Sequence, residues 1–398
     1  MDRGGAVNAI VSGLIARYPF GGMTFHYVQY LLGLRDLGWE VAYLEDSGHW
    51  FYDPANATFV EDATPSLAYL GAEMERFGLG DAWVVRDRAD RLHGPLAASL
   101  PAVLDRADVL VNVSGACWLR PEYEQIPTTI YVDTDPGYTQ FKLATVARGE
   151  GDAKLAREVD LIAKHRVHAS FGENIGLPGC SIPTGPLRWV PTRQPIHLDL
   201  WHLDEPTPPV RFTSVLSWDP YAEPLRFDGR RYWGKRREFE RVADLPRLTG
   251  ADLELAVSGP MGEPDLRAHG WRIRPAEEVS ASSSSYRDYI ASSGAELSVA
   301  KDVYVRNATG WFSERSACYL ASGRPVVVQD TGFTRVLPAG VGLHAFSDGE
   351  QAAAAVARVI DGYPQEREAA RHIAEEHFDA RRVLTDLLTA ARVAEAAR

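Results

Sequence analysis

The sequence predicts an α/β architecture of two doubly wound domains facing each other across a cleft. Three observations carry this reading. Short apolar runs alternate with segments whose apolar residues recur at helical spacing. A proline-dense stretch separates two such series of similar size. The composition, 45% hydrophobic and 24% charged over 398 residues, is that of a globular chain long enough for two or three domains.

Residues 9–14 read as a first strand and Gly21-Gly22 as a turn, followed by a helix over 24–37 with Phe25, Val28, Leu31, Leu32 and Leu34 on its apolar side and Gly38 at its end. With a second strand at 40–44, the opening has the length of a βαβ unit, so its strands are expected to be parallel. Further strands are expected at 108–113, 128–132 and 168–171. Prolines at 183, 186, 191, 195, 206, 208 and 209 then exclude a helix interior or a central strand. These signals divide the chain into a first domain (1–190), a linker (191–209), a second domain (210–375) and a closing helical segment (376–398). Strands of the second series are expected at 211–218, 253–258, 295–299 and 325–329, with helices between 350 and 397.

Composition also excludes functions. With 42 Lys+Arg against 54 Asp+Glu, the net charge of −12 opposes a nucleic-acid partner, which needs clustered cations. Cys117, Cys180 and Cys318 are far apart and form no C-x-x-C pair, so neither a disulfide framework nor a zinc knuckle is expected. That pattern, with no apolar run of about 20 residues, points to a cytoplasmic chain without a membrane-spanning segment. Signatures of P-loop hydrolases, zinc proteases, serine hydrolases and dinucleotide oxidoreductases are absent.

The segment 309–333, TGWFSERSACYLASGRPVVVQDTGF, carries the strongest local signal. Ser313 suits a helix N-cap, Ala317, Leu320 and Ala321 form a narrow apolar stripe, and Gly323 suits a helix end before the strand that opens at Pro325. Free amides and the positive dipole end at that helix start would meet an anion such as a diphosphate. Gly310, Trp311, Ser313, Glu314 and Arg315 surround that start, and Asp330 stands where the next strand ends. A capped surface helix without a ligand is the competing reading.

In the first half, polar residues follow the expected strands, where a doubly wound sheet opens its crevice: Gly21, Gly22 and His26, then Glu45 and Asp46, Ser114, Asp133 and Asp135, and Glu173 with Asn174. Chemistry that activates a hydroxyl or a ring nitrogen as nucleophile needs a general base, and His26, Asp133 and Asp135 are the candidates. Glu173 and Asn174 are candidates for binding acceptor hydroxyls. Each has a plainer alternative: a histidine packed between helix and sheet, an aspartate capping a turn, an acid exposed on a loop. Aromatic rings, Trp218 and Trp311 first among them, suit sugar faces and nucleobases.

The run Ala321-Ser322-Gly323-Arg324-Pro325-Val326-Val327 resembles the A-x-G-x-P-V-V motif in the donor domain of GT-B glycosyltransferases. The first half is similar to their acceptor domain, and the late helices to their returning C-terminal helix. The resemblance implies a nucleoside diphosphate sugar as co-substrate on the second domain, a small-molecule or glycan acceptor on the first, and a lysine facing the diphosphate. Lys235 occupies that place, with Arg236 as its substitute; the competing reading is a solvated basic run over 230–237. No metal or other cofactor is expected, since Lys235, Arg315 and the helix start would neutralise the diphosphate. One departure stands out: the two glutamates that many retaining members carry thirteen and five residues before the motif glycine are Gly310 and Cys318 here, with Glu314 between them. A nucleotide-sugar epimerase or a non-catalytic nucleotide-sugar binder on the same fold are the alternatives to a transferase.

Overall fold

The structure is a computed structural model that describes residues 8–201, 210–218, 223–259 and 266–396; the second half of the proline-rich linker, with Pro206, Pro208 and Pro209, lies outside them. In the first domain β1 (Asn8–Ser12), β2 (Glu40–Glu45), β3 (Trp83–Arg86), β4 (Val109–Val113), β5 (Thr128–Asp133), β6 (Val167–Ser170) and β7 (Trp189–Pro191) form one parallel sheet. Its order is β7-β6-β5-β4-β1-β2-β3, with the short antiparallel strand Leu92–His93 beyond β3. Every residue of β4 is buried, which is why its sequence is a continuous apolar run broken by one asparagine rather than an alternating one.

The second sheet contains β8 (Arg211–Ser217), β9 (Asp252–Ser258), β10 (Arg272–Pro275), β11 (Ala295–Ser298), β12 (Val326–Gln329) and β13 (Leu343–Phe346), all parallel, in the order β10-β9-β8-β11-β12-β13. Strand order reverses between β1 and β4 in one sheet and between β8 and β11 in the other, and a crevice opens at the carboxyl ends of the strands at each reversal.

Five helices place the site: α1 (Gly21–Asp36), α2 (Ser283–Ser292), α3 (Glu314–Ala321), α4 (Tyr363–His377) and α5 (Ala380–Ala396). Eleven residues of α1 are buried because it has neighbours on both sides, the first sheet on one and α2 and α5 on the other. A Cβ on Gly33 would sit 2.6 Å from Leu384 and 2.8 Å from Ala380, so the glycine is what lets α1 and α5 approach. Through Ala380, Leu384, Leu387 and Ala391, α5 joins the core of the first domain. An apolar seam joins the domains: Phe25 of α1 lies 4.7 Å from Trp201 and 6.0 Å from Tyr286 of α2 between ring centroids, and Phe312 and Phe378 extend the cluster.

The structure departs from the sequence reading in places. Its proline-dense stretch contains a strand, β7, which is tolerated because β7 is the sheet edge. Strands β3, β10 and β13 are not among the strands expected from the sequence; β3 and β10 mix apolar residues with arginines (WVVR, RIRP) and so lack the continuous apolar run that marks β4 or β12. Among the described residues, no helix is long and apolar enough to cross a membrane.

Candidate functional site

The two reversal points face one cleft. From the first domain, α1 presents His26, whose Nε2 lies 3.2 Å from the Ser114 hydroxyl at the end of β4. Ser114 has φ 61°, a left-handed conformation that costs a non-glycine residue energy and is typically retained where a side chain must be aimed. Its hydroxyl is also 2.8 Å from that of Thr134, after β5. Burial lowers the His26 pKa from 6.5 to about 4, the charge of Asp135 opposing, so the imidazole is neutral at pH 7 and able to accept a proton.

Asp135 joins the two domains. Its Oδ1 accepts from Lys301 Nζ at 2.6 Å and from the Tyr304 hydroxyl, both on the segment that follows β11. Burial raises this carboxyl, but Lys301 and Tyr304 outweigh burial and its pKa lies below the ordinary aspartate value. Beside it Trp311 donates from Nε1 to the Thr134 carbonyl at 3.0 Å and packs on the Tyr304 ring with centroids 4.5 Å apart.

In the second domain, the ends of β11 and β12 and the start of α3 enclose a small cavity whose wall includes Ser298, Trp311, Ser313, Arg315, Gln329 and Thr331. Ser313 occupies the N-cap position of α3, but its hydroxyl bonds none of the helix amides. Lys235 opens the helix Lys235–Glu240. Burial, followed by the charges of Arg315 and Lys301, pushes its pKa well below the ordinary lysine value, and among the described residues no hydrogen bond or ion pair engages its ammonium.

Several residues predicted for the site are engaged elsewhere. Asp133 is buried and accepts hydrogen bonds from Thr139, Gln140 and Ser170, at 2.9, 2.8 and 2.7 Å, which leaves it no role as a base. Asn174 is an interdomain strut, donating to the carbonyls of Ala308 at 3.0 Å and Gly332 at 2.9 Å. Glu173 is bound by Arg193 at 2.6 Å rather than exposed. Asp330 accepts from the Gly332 amide at 2.7 Å and the Thr334 hydroxyl at 3.1 Å, closing its own turn. Arg236 lies 3.8 Å from Glu240 of its own helix, whereas Lys235 feels the charges of Arg315, Lys301 and Asp135 at the cleft.

Gly21 and Gly22, expected as a turn, are instead the first residues of α1; Gly21 packs against the Ser282 carbonyl, where a Cβ would lie at 2.1 Å, and the Gly22 amide points to Ser280 Oγ at 3.5 Å, so the pair meets α2 and its approach rather than open cleft. Gly310, at φ 80°, donates its amide to the Thr331 carbonyl and packs on Asn174. Glu314 turns toward α1, 3.4 Å from Gln29 Nε2 and 3.1 Å from Cys318 Sγ, and burial raises its pKa to about 7. Trp218 is fully buried against Phe239.

Arg315 belongs to the cavity wall, but all three of its nitrogens have protein partners at 2.6 Å: Glu296, the Val215 carbonyl and Ser298 Oγ. It braces β8 and β11 at their reversal. Arg315→Ala is therefore expected to destabilise the fold by about 3–5 kcal/mol, because Glu296 would remain buried without its cation; urea unfolding measures this, and a loss below about 1 kcal/mol, the scale of a surface pair, would refute the bracing role.

Lys301, Tyr304 and Ser298 are the site residues missed by the sequence reading. The rule that found Ser114 and Asp135, polar residues just beyond a strand, finds Lys301 when applied to β11. Among the described residues, no group of three or more His, Cys, Asp or Glu side chains is placed to hold a metal ion.

No family model matches the chain, and no curated protein matches it at a significant level. Solved structures do. AviGT4, a glycosyltransferase involved in avilamycin A biosynthesis, aligns over 98% of this chain and 99% of its own at 15% identity, with a TM-score of 0.55. An alpha-glucosyltransferase in complex with UDP and a 13-mer DNA aligns over 98% and 100% at 10% identity, with a TM-score of 0.57. Anabaena HepE in complex with UDP and glucose aligns over 96% and 100% at 11% identity, with a TM-score of 0.54. Full-length alignment at such low identity establishes architecture: the chain has the GT-B fold, two doubly wound domains whose strand-order reversals open onto a shared cleft.

Proposed function

We propose that the protein transfers a glycosyl group from a nucleoside diphosphate sugar, held by the second domain, to an acceptor hydroxyl presented by the first. The observation that carries this reading is Lys235, a half-buried cation without a partner among the described residues, set near Arg315 and Lys301 and facing the domain that carries His26 and Asp135. An unpartnered ammonium in such a place is stabilised by an anion, and a diphosphate leaving group develops negative charge as its bond to the sugar breaks. The uncapped start of α3 adds backbone amides aimed at the same cavity. Structures similar to this one hold UDP, which makes uridine the first base to try.

In this reading the bond between the anomeric carbon and the diphosphate breaks, the acceptor oxygen bonds to that carbon, and the acceptor proton passes to neutral His26. Ser114 fixes the imidazole. The bridge from Asp135 to Lys301 and Tyr304 holds the domains closed, and the seam around Phe25 and Trp201 keeps water from the donor. Lys235 and the helix amides neutralise the diphosphate, so the reaction needs no divalent metal. Three free thiols suit a cytoplasmic setting.

Calorimetry with UDP, GDP, dTDP, CDP and ADP tests the donor site. One diphosphate is expected to bind, with equal affinity in EDTA and in magnesium; binding of none refutes the reading, and binding that EDTA abolishes refutes its metal-free form. Consumption of donor sugar only when an acceptor is present separates transfer from epimerisation and from passive binding.

A further inference from the structure

Outside the cleft floor, the loops leaving the first sheet carry a second group of side chains. Arg17 follows β1, Trp50 follows β2, Arg88 follows β3 and Trp118 follows β4, so all emerge at the carboxyl edge of the sheet. Lys154 and Arg157 stand at the start of the helix Ala153–Ala163, which runs back to feed β6 and so begins at the same edge. Three of these cations lie over aromatic rings. Arg17 is 5.0 Å from the Tyr18 centroid and 5.6 Å from that of Phe59, Arg88 is 5.1 Å from Trp50, and Arg157 is 5.2 Å from Trp118. Trp118 in turn packs on Gly48, two residues from Trp50.

Two features set this rim apart. Trp50 (44% exposed), Phe59 (42%) and Trp118 (38%) are the only aromatic residues among the large hydrophobic side chains exposed in the described residues. Arg17, Arg88, Lys154 and Arg157 make no ion pair among the described residues, and the Arg17 Nε is buried without a hydrogen-bond partner. The nearby Glu158 is already bound to Lys142 at 3.1 Å. His49, between them, registers the combined charge: burial, then Arg17, Lys154 and Arg88, hold its pKa below the ordinary value. The loop that carries Arg17 is fixed by buried Glu45, which accepts from the amides of Ala16 at 2.8 Å and Arg17 at 2.7 Å.

A chain of net charge −12 thus keeps four cations without an ion pair among the described residues beside exposed flat rings, on the sheet edge that also carries Ser114. Cations so placed draw in an anion, and exposed indoles offer a ring an apolar face. We propose that this rim recognises the acceptor, and that the acceptor is a small anion with a ring: a carboxylate or phosphate ester bound by Arg17, Arg88, Lys154 and Arg157, with its ring on Trp50 and Trp118. The inference rests on the glycosyl-transfer reading and names the substrate class of its acceptor side.

The test is tryptophan fluorescence titration of the intact protein with matched probes: nitrophenyl glucuronide against nitrophenyl glucoside for a carboxylate, phenyl phosphate against phenol for a phosphate. At least one anion is expected to bind about tenfold more tightly than its neutral partner, the scale of a few exposed charge contacts acting together. The double variant Arg88→Glu with Arg157→Glu changes only exposed side chains, leaving the core intact, and is expected to erase that ratio, as is high salt. Equal affinity within both pairs, absence of binding by all four probes, or a ratio that survives the charge reversal overturns the proposal. Diphosphate binding is measured in parallel: its presence with no anion preference refutes the acceptor class alone, whereas its absence refutes the transfer reading beneath it.

Discussion

Lys235→Ala weakens nucleoside diphosphate binding by about 10- to 100-fold, the loss of one charge-assisted contact to a phosphate. The same substitution leaves the free protein at least as stable as before, because the ammonium has no partner among the described residues and lies near Arg315 and Lys301. A structural lysine would give the opposite result, loss of stability with affinity unchanged, so calorimetry and thermal unfolding of one variant decide between the two. The pH dependence has a definite sign. Burial and neighbouring cations depress the Lys235 pKa in the free protein, and a bound phosphate raises it again. Affinity therefore falls as pH rises through the depressed value, and binding takes up protons, which calorimetry in buffers of different ionisation enthalpy detects. An affinity independent of pH would remove Lys235 from the donor site.

His26→Gln retains a group able to bond Ser114 but removes the base, and turnover is expected to fall about 10²–10⁴-fold with diphosphate affinity unaltered. Wild-type kcat/KM should stay level near neutrality and fall as pH drops toward about 4, where the buried imidazole becomes protonated. Stability follows the same direction for a separate reason. The ordinary histidine pKa of 6.5 is lowered to about 4 in the fold, so the unfolded chain binds more protons between those values and acidification through that window destabilises the protein. A His26→Gln enzyme with normal turnover would show that the imidazole only packs between helix and sheet.

The comparison of His26 with Asp133 shows what a sequence can reveal about a site. Both follow a strand, and the rule of polar residues beyond carboxyl ends selects them equally. What separates them is the number of internal partners. Asp133 meets Thr139, Gln140 and Ser170, whereas His26 Nε2 faces the Ser114 hydroxyl beside the cleft. The same holds for Lys235 against Arg236 and for Arg315, whose charge is used by Glu296. Adjacent positions on a helix point in different directions, and only the packing shows which direction leads to the cleft. Lys301 was within reach of the same rule applied to β11, whereas Tyr304 was hidden because its significance lies in a partner, Asp135, more than 160 residues earlier in the chain.

Local rules of chain geometry determined most of the strands and helices, the glycine that ends α3, at φ 61°, and the presence of terminal helices, because periodicity, caps and helix terminators act over a few residues; that the last helix returns to the first domain was implied only by the GT-B resemblance. The tertiary structure decided which charges are spent inside the protein and which remain for a ligand. Side chains such as Asn174 are saturated by segments distant in sequence, Ala308 and Gly332, which no local rule foresees, and one that meets no partner among the described residues, as Lys235, is left to bind something else.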